Sequence, residues 1–146
     1  MNQKYMQLFV RMAGATAFLS AVADRLGFWG EPGSSNASWG NWEHFIMYSN
    51  QLNFFVSPEI GELLAIIATI LEIVFALLLL IGYKTKIISF ASGILLVLFA
   101  VTMTMAFGIK STFTYSVWIG ASACFLLGTL NEDYNSLDYY LKKQKS

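Results

Sequence analysis

Ile60-Gly-Glu-Leu-Leu-Ala-Ile-Ile-Ala-Thr-Ile-Leu-Glu72-Ile-Val-Phe-Ala-Leu-Leu-Leu-Leu-Ile-Gly82 is a helix-length run of apolar residues with one carboxylate, Glu72, near its middle. In water such a run is insoluble. In a bilayer the run is ordinary and the acid is the anomaly, because a mid-bilayer charge costs at least ~2.5–3.5 kcal/mol and intramembrane carboxylates face protein or water.

The composition agrees with that setting. Of 146 residues, 56% are hydrophobic, 16% aromatic and 12% charged, whereas soluble domains carry roughly 25% charge. The net charge of +0 gives no reason to expect a nucleic-acid partner. A single cysteine, Cys124, excludes an internal disulfide, a CxxC redox pair and a thiolate metal site. A single histidine, His44, excludes bis-His haem ligation by this chain and argues against a dedicated zinc site. No metal ligand set is expected.

Working outward from the quoted run, three further spans are expected. Residues 5–27 are apolar and small, and 23 residues of helix cover about 34 Å, enough for a bilayer core of about 30 Å. This segment shares features with a cleavable leader: Lys4 and Arg11, an apolar core, and Ala21-Val-Ala23 before Asp24. It is expected to remain as a helix. Residues 60–82 form the second span, 87–107 the third and 113–130 the fourth. The turn Tyr83-Lys84-Thr85-Lys86 makes spans two and three antiparallel neighbours. The polar tail Asn131–Ser146 carries Tyr134, Tyr139, Tyr140, Lys142, Lys143 and Lys145. No fixed-period repeat and no soluble domain is visible, so 1–146 reads as one all-α membrane domain, a four-helix bundle. With both termini inside, seven basic residues (Lys4, Arg11, Lys84, Lys86, Lys142, Lys143, Lys145) face two outside (Arg25, Lys110). That asymmetry predicts a multi-pass protein with cytoplasmic termini.

The outer loop, 28–57, is long for a plain connection. It starts flexible and turns aromatic. Trp42, Phe45, Ile46 and Ser49, with Tyr48 and Leu52, recur at helical spacing, which predicts a short amphipathic helix at the interface. Ser57-Pro58-Glu59 reads as N-cap, first helical residue and first-turn acid of the next span.

Two groups of residues could carry chemistry. The first surrounds Glu72. Glu62, Ala65, Thr69, Glu72 and Ala76 share one stripe, and its small members let helices approach closely. Glu72 is either uncharged through loss of water or ionised beside a cation. Arg11 is the expected cation: counted from the same face, the two residues differ in depth by roughly 7 Å. Arg25 is expected nearer the outer end, meeting Glu62 or Glu59, or Asp24 through solvent. With Ser20 and Thr69 these form the candidate polar site. Its plainer role is a clasp that fixes helix register; its functional role is a proton or ligand site. The second group is an aromatic lid of Trp39, Trp42, His44, Phe45 and Tyr48, with Phe54 and Phe55, suited to a quinone, sterol or acyl chain or to interfacial anchoring. Spans three and four look structural, with small-residue rows Ser89, Gly93, Ala100, Thr104 and Ser116, Gly120, Cys124, Gly128. Cys124 has no basic partner and is expected to be inert. No G-x-S-x-G, H-E-x-x-H, P-loop or GxGxxG motif is present.

The order and spacing of several of these pieces resemble the DoxX family of small bacterial four-helix membrane proteins. They are Arg11 followed by Phe18-Leu-Ser-Ala-Val-Ala-Asp-Arg-Leu-Gly27, then Leu71-Glu72-Ile with Leu77–Gly82 and the basic turn Lys84-Thr-Lys86, and lastly Ser136-Leu137-Asp138. The resemblance covers nearly the whole chain. It implies an inner-membrane bundle similar to that of vitamin K epoxide reductase. It also implies a link to redox complexes, the family's name coming from a subunit of a thiosulfate:quinone oxidoreductase. This chain lacks the cysteines such thiol chemistry uses, so at most it is an oxidoreductase subunit whose thiols reside on a partner. The expected function is a membrane redox subunit that binds a quinone-like lipid near Glu72 beneath the lid, with no covalently bound cofactor. Its expected partners are the bilayer, another membrane or redox protein, and a second copy of itself. The alternatives are a non-enzymatic scaffold or assembly protein and a small proton-linked transporter. The transporter is disfavoured by the lack of paired Gly/Pro-broken helices.

Overall fold

A computed structural model describes residues 3–130 and 136–144. Among them the only regular structure is helical: α1 Gln3–Arg25, α2 Trp42–Leu52, α3 Pro58–Ile81, α4 Thr85–Phe107, α5 Ile109–Thr114, α6 Val117–Thr129 and α7 Leu137–Gln144. Tyr134 and Lys145, counted above in the tail, lie outside the described residues.

Three helices, α1, α3 and α4, are long and apolar enough to cross a membrane. α3 starts where its sequence dictates, with Ser57 at the N-cap position, Pro58 in the first turn and Glu59 behind it, but the Ser57 side chain makes no capping hydrogen bond. It ends on Gly82 in the left-handed conformation, φ 69°. A β-carbon there would also collide with the Arg11 guanidinium and Ser136, so glycine is required twice over.

The expected fourth span is a correction. Residues 113–130 do not form one helix: Phe113 and Thr114 finish α5, the chain breaks at Tyr115–Ser116, and α6 begins only at Val117. Thirteen residues of α6 cover about 20 Å, short of a bilayer core. Near the break Ser111, Thr112 and Thr114 turn their hydroxyls back onto the carbonyls of Gly108, Ile109 and Lys110, bonds that bend a helix but that Thr104 and Ser122 also make within unbroken ones. Trp118 Nε1 donates to Thr112 Oγ1 at 2.9 Å across the break, and Ser116 takes φ 54°.

α1 packs chiefly on α3, and α4 chiefly on α6. Each pair is brought close by small residues: Ala15 and Ala76 are fully buried in one, and Gly93 and Gly128 receive the rings of Phe125 and Phe90 in the other. The small row on α6 runs through Ala121, Cys124 and Gly128, while Ser116 lies at the break. The shared core holds Phe18, Leu79, Ile88, Leu95 and Leu127.

Helices α2 and α7 close opposite ends. α2 follows the expected range, is capped by Asn41 Oδ1 accepting from His44 N–H at 2.9 Å, and buries Phe45 and Ser49. At the other end α7 holds the α3–α4 turn. The Asp138 carboxylate accepts from Lys84 and Thr85 N–H at 2.8 and 2.7 Å, and its own N–H donates to Gly82 O. Lys84 offers no cap of its own, so the Ser136-Leu137-Asp138 motif supplies the missing acceptor for the start of α4.

Candidate functional site

Glu72 is 2% exposed and pairs with Arg25, not with Arg11. Arg25 Nη2 donates to Glu72 Oε1 at 3.0 Å, and Nη1 lies 2.5 Å from Oε2. Nη1 also donates to Thr69 Oγ1 at 2.7 Å, and that hydroxyl donates onward to Ala65 O. Arg11 instead closes the end of α3: Nε donates to Leu79 O at 2.8 Å and Nη2 to Leu80 O at 2.9 Å.

The expected Arg11–Glu72 pair fails because side chains on a helix lean toward its N-terminus. α1 and α3 are antiparallel. Arg11 therefore leans away from Glu72, toward the bare carbonyls at the end of α3, where a cation is also favoured by the helix dipole. Arg25 leans into the bundle, toward Thr69 and Glu72. Depth counted by residue alone omits this direction.

Glu62 and Glu59 are exposed, and neither meets Arg25. The buried stripe of α3 runs through Gly61, Ala65, Thr69, Glu72 and Ala76, so Gly61 occupies the place expected for Glu62. Asp24 does not share solvent with Arg25. It is buried, and its carboxylate accepts from the backbone N–H groups of Ser38, Trp39 and Gly40 at 2.9, 3.2 and 3.2 Å. Ser20 contributes its carbonyl, which accepts from Trp29 Nε1 at 3.0 Å.

Asp24 thereby fixes the loop that carries the lid. Trp39 meets Phe45 edge-on at 5.1 Å and Tyr48 at 5.6 Å, while Trp42 lies 5.4 Å from Phe45. Phe45 sits over the Arg25 guanidinium at 4.1 Å and Trp39 at 5.4 Å, a cation–π arrangement favoured away from water. Tyr48 stacks on Phe107 of α4. Burial, with the nearby Tyr115 phenol adding to it, pushes the Tyr48 hydroxyl up to about 12. His44 is exposed, with Nδ1 3.0 Å from Asn41 Oδ1. Phe54 and Phe55 meet edge to face at 5.6 Å, and neither lines the cleft.

Below the lid lies a cleft of about 1710 Å³ between the two helix pairs. Its walls include Gly14, Ala17 and Ala21 of α1, Ala65, Ala68 and Leu71 of α3, Phe99 and Met103 of α4, and Gly120 and Cys124 of α6. Arg25, Glu72, Trp39, His44, Phe45 and Tyr48 border its lid end. Arg11 does not border it. The Gly/Ala face of α1 was the missed signal: small residues at steps of three and four mark either close packing or space beside the helix. Phe107 and Tyr115 had no signal, since their place depends on how α4 and α5 meet α2.

Such a cleft suits an elongated apolar molecule with a few polar atoms at one end. Among the described residues no three His, Cys, Asp or Glu side chains come together to hold a metal. No protein-family model matches the chain, and neither a curated protein nor a solved structure matches it.

Proposed function

We propose that this chain is a DoxX-like integral subunit of a bacterial inner-membrane redox module, and that its cleft takes a quinone-like lipid with the head group under the aromatic lid. The observation that carries the reading is the placement of a buried Arg25–Glu72 pair at the lid end of an otherwise apolar cleft. A hydrocarbon tail is served by the Ala, Gly, Leu and Phe walls. A flat polar head is served by Trp39, Phe45 and Tyr48 beside charged groups. In this reading both termini are cytoplasmic, and α5 with α6, residues 109–129, together make the fourth crossing as a broken helix. Electrons and thiols come from a partner protein, since Cys124 has no second cysteine to work with.

Titrating the detergent-purified protein with a short-chain quinone tests this, following quenching of the lid tryptophans in the wild type and in Glu72→Gln. Saturable binding that weakens in the variant is expected. Absence of saturable binding in both proteins would sink the reading.

A further inference from the structure

Arg25 has five N–H groups, and the structure accounts for three of them. Nη2 donates to Glu72 Oε1 and Nη1 to Thr69, and Nη1 also lies in ion-pair contact with Glu72 Oε2, which occupies its remaining N–H without making a well-aligned hydrogen bond. Among the described residues Nε is buried with no partner, and Nη2 donates only to Glu72. In a planar guanidinium the two remaining N–H groups run parallel along one edge. A residue only 4% exposed therefore holds an unfilled two-pronged donor at the border of the cleft. Buried donors are nearly always satisfied, so an orphan one calls for a partner.

We infer that this vacant Nε/Nη2 edge of Arg25 is the anchor for a carbonyl oxygen of the cleft's occupant. The inference rests on the cleft reading above and specifies its head-group contact. Glu72 already balances the guanidinium charge, so an anionic head group would leave the buried site with a net negative charge. A neutral acceptor does not. A quinone carbonyl supplies one, and it can take both N–H groups. Nε is closed off from solvent, so the side chains packed along that edge give way when the oxygen arrives, while Phe45 stays over the face of the cation.

The test uses decylubiquinone and, as a carbonyl-free comparator, a decylbenzene of matching ring size. Both are titrated into the full chain in ether-lipid nanodiscs, for the wild type and for Arg25→Lys, which keeps the charge opposite Glu72 but has no fork. Expected is a loss of quinone affinity of about ten- to hundredfold in the variant, with the comparator binding both proteins equally. In the wild type the carbonyl stretch of bound ¹³C-labelled quinone should move to lower frequency; this readout needs no variant to fold. Equal quinone binding by both proteins, with no shift of the stretch, overturns the anchor while leaving the cleft reading intact. No quinone binding by the wild type overturns both. Much weaker quinone binding in ester-lipid than in ether-lipid nanodiscs assigns the edge to a phospholipid ester carbonyl and overturns the quinone assignment.

Discussion

The two buried arginines of α1 are 14 positions apart, chemically identical, and used in opposite ways. Arg11 puts its Nε and Nη2 on Leu79 and Leu80 carbonyls at the α7 end. Arg25 keeps its Nε unpartnered among the described residues and uses Nη1 and Nη2 to hold Glu72 and Thr69 at the α2 end. The first is a closed structural latch away from the cleft. The second borders the cleft and keeps Nε unpartnered among the described residues. Two aspartates repeat the contrast. Asp138 gathers two backbone N–H groups to start a helix, whereas Asp24 gathers three to hold a loop over a cleft. Burial of a charge in this chain is thus no sign of function by itself. A leftover buried polar atom is no sign by itself either, since Thr85, Ser89 and Ser92 hydroxyls are left over too; what sets Arg25 apart is that its leftover donor belongs to a charged group on the border of the cleft.

The largest test of the contrast acts on the ion pair. Glu72→Ala leaves Arg25 without a counter-charge in a low-dielectric interior and should lower stability by about 3–5 kcal/mol in reversible detergent unfolding. Replacing both residues with leucine should restore most of that loss, since no unpaired charge then remains. A double variant as unstable as the single one would mean that the pair is not the unit.

Removing the latch should have a smaller effect. Arg11→Leu frees two carbonyls at the end of α3, where part of the loss can be made good by water, and should cost about 1.5–3 kcal/mol. The sharper measurement combines it with Glu72→Ala. Leu79 and Glu72 are seven residues apart on α3, about 10 Å, so the two effects should add within about 0.5 kcal/mol. Marked non-additivity would restore the direct Arg11–Glu72 link that the geometry rejects. Quinone quenching in Arg11→Leu should match the wild type.

Much of this architecture is legible in the chain itself. The spans of α1, α3 and α4 follow from apolar length, the start of α3 from Ser57-Pro58-Glu59, and α2 from the spacing of Trp42, Phe45 and Ser49. What is not legible depends on direction or on distant partners. Residue counting puts Arg11 and Glu72 at similar depth, but the lean of side chains on antiparallel helices decides which arginine arrives. The break goes with a left-handed Ser116 and a Trp118–Thr112 hydrogen bond across it, which the apolar character of 113–130 conceals. The tie between Asp24 and residues 38–40 joins two segments whose spacing in sequence carries no periodic signal. Glu62 was displaced from the buried stripe by Gly61, a one-residue shift of face that spacing at three and four cannot resolve.

The smallest expected effect lies at the lid and separates a sealed α2 end from a wet one. A tyrosine in water loses its proton near pH 10. Tyr48 is pushed up to about 12 by burial and by Tyr115, so its neutral form is the one the fold favours. Alkaline titration followed by phenolate absorbance, as the difference between wild type and Tyr48→Phe, should show this group ionising near pH 12. The sign for stability follows. Below pH 10 the phenol is neutral folded and unfolded, and the contribution is constant. Between 10 and 12 the unfolded chain ionises first, so stability falls as pH rises; above 12 the fall stops. Tyr48→Phe should remove that part of the alkaline loss. A Tyr48 that titrates near pH 10 would mean that water reaches the space between Trp39 and Phe107, and the lid would then be open in the absence of ligand.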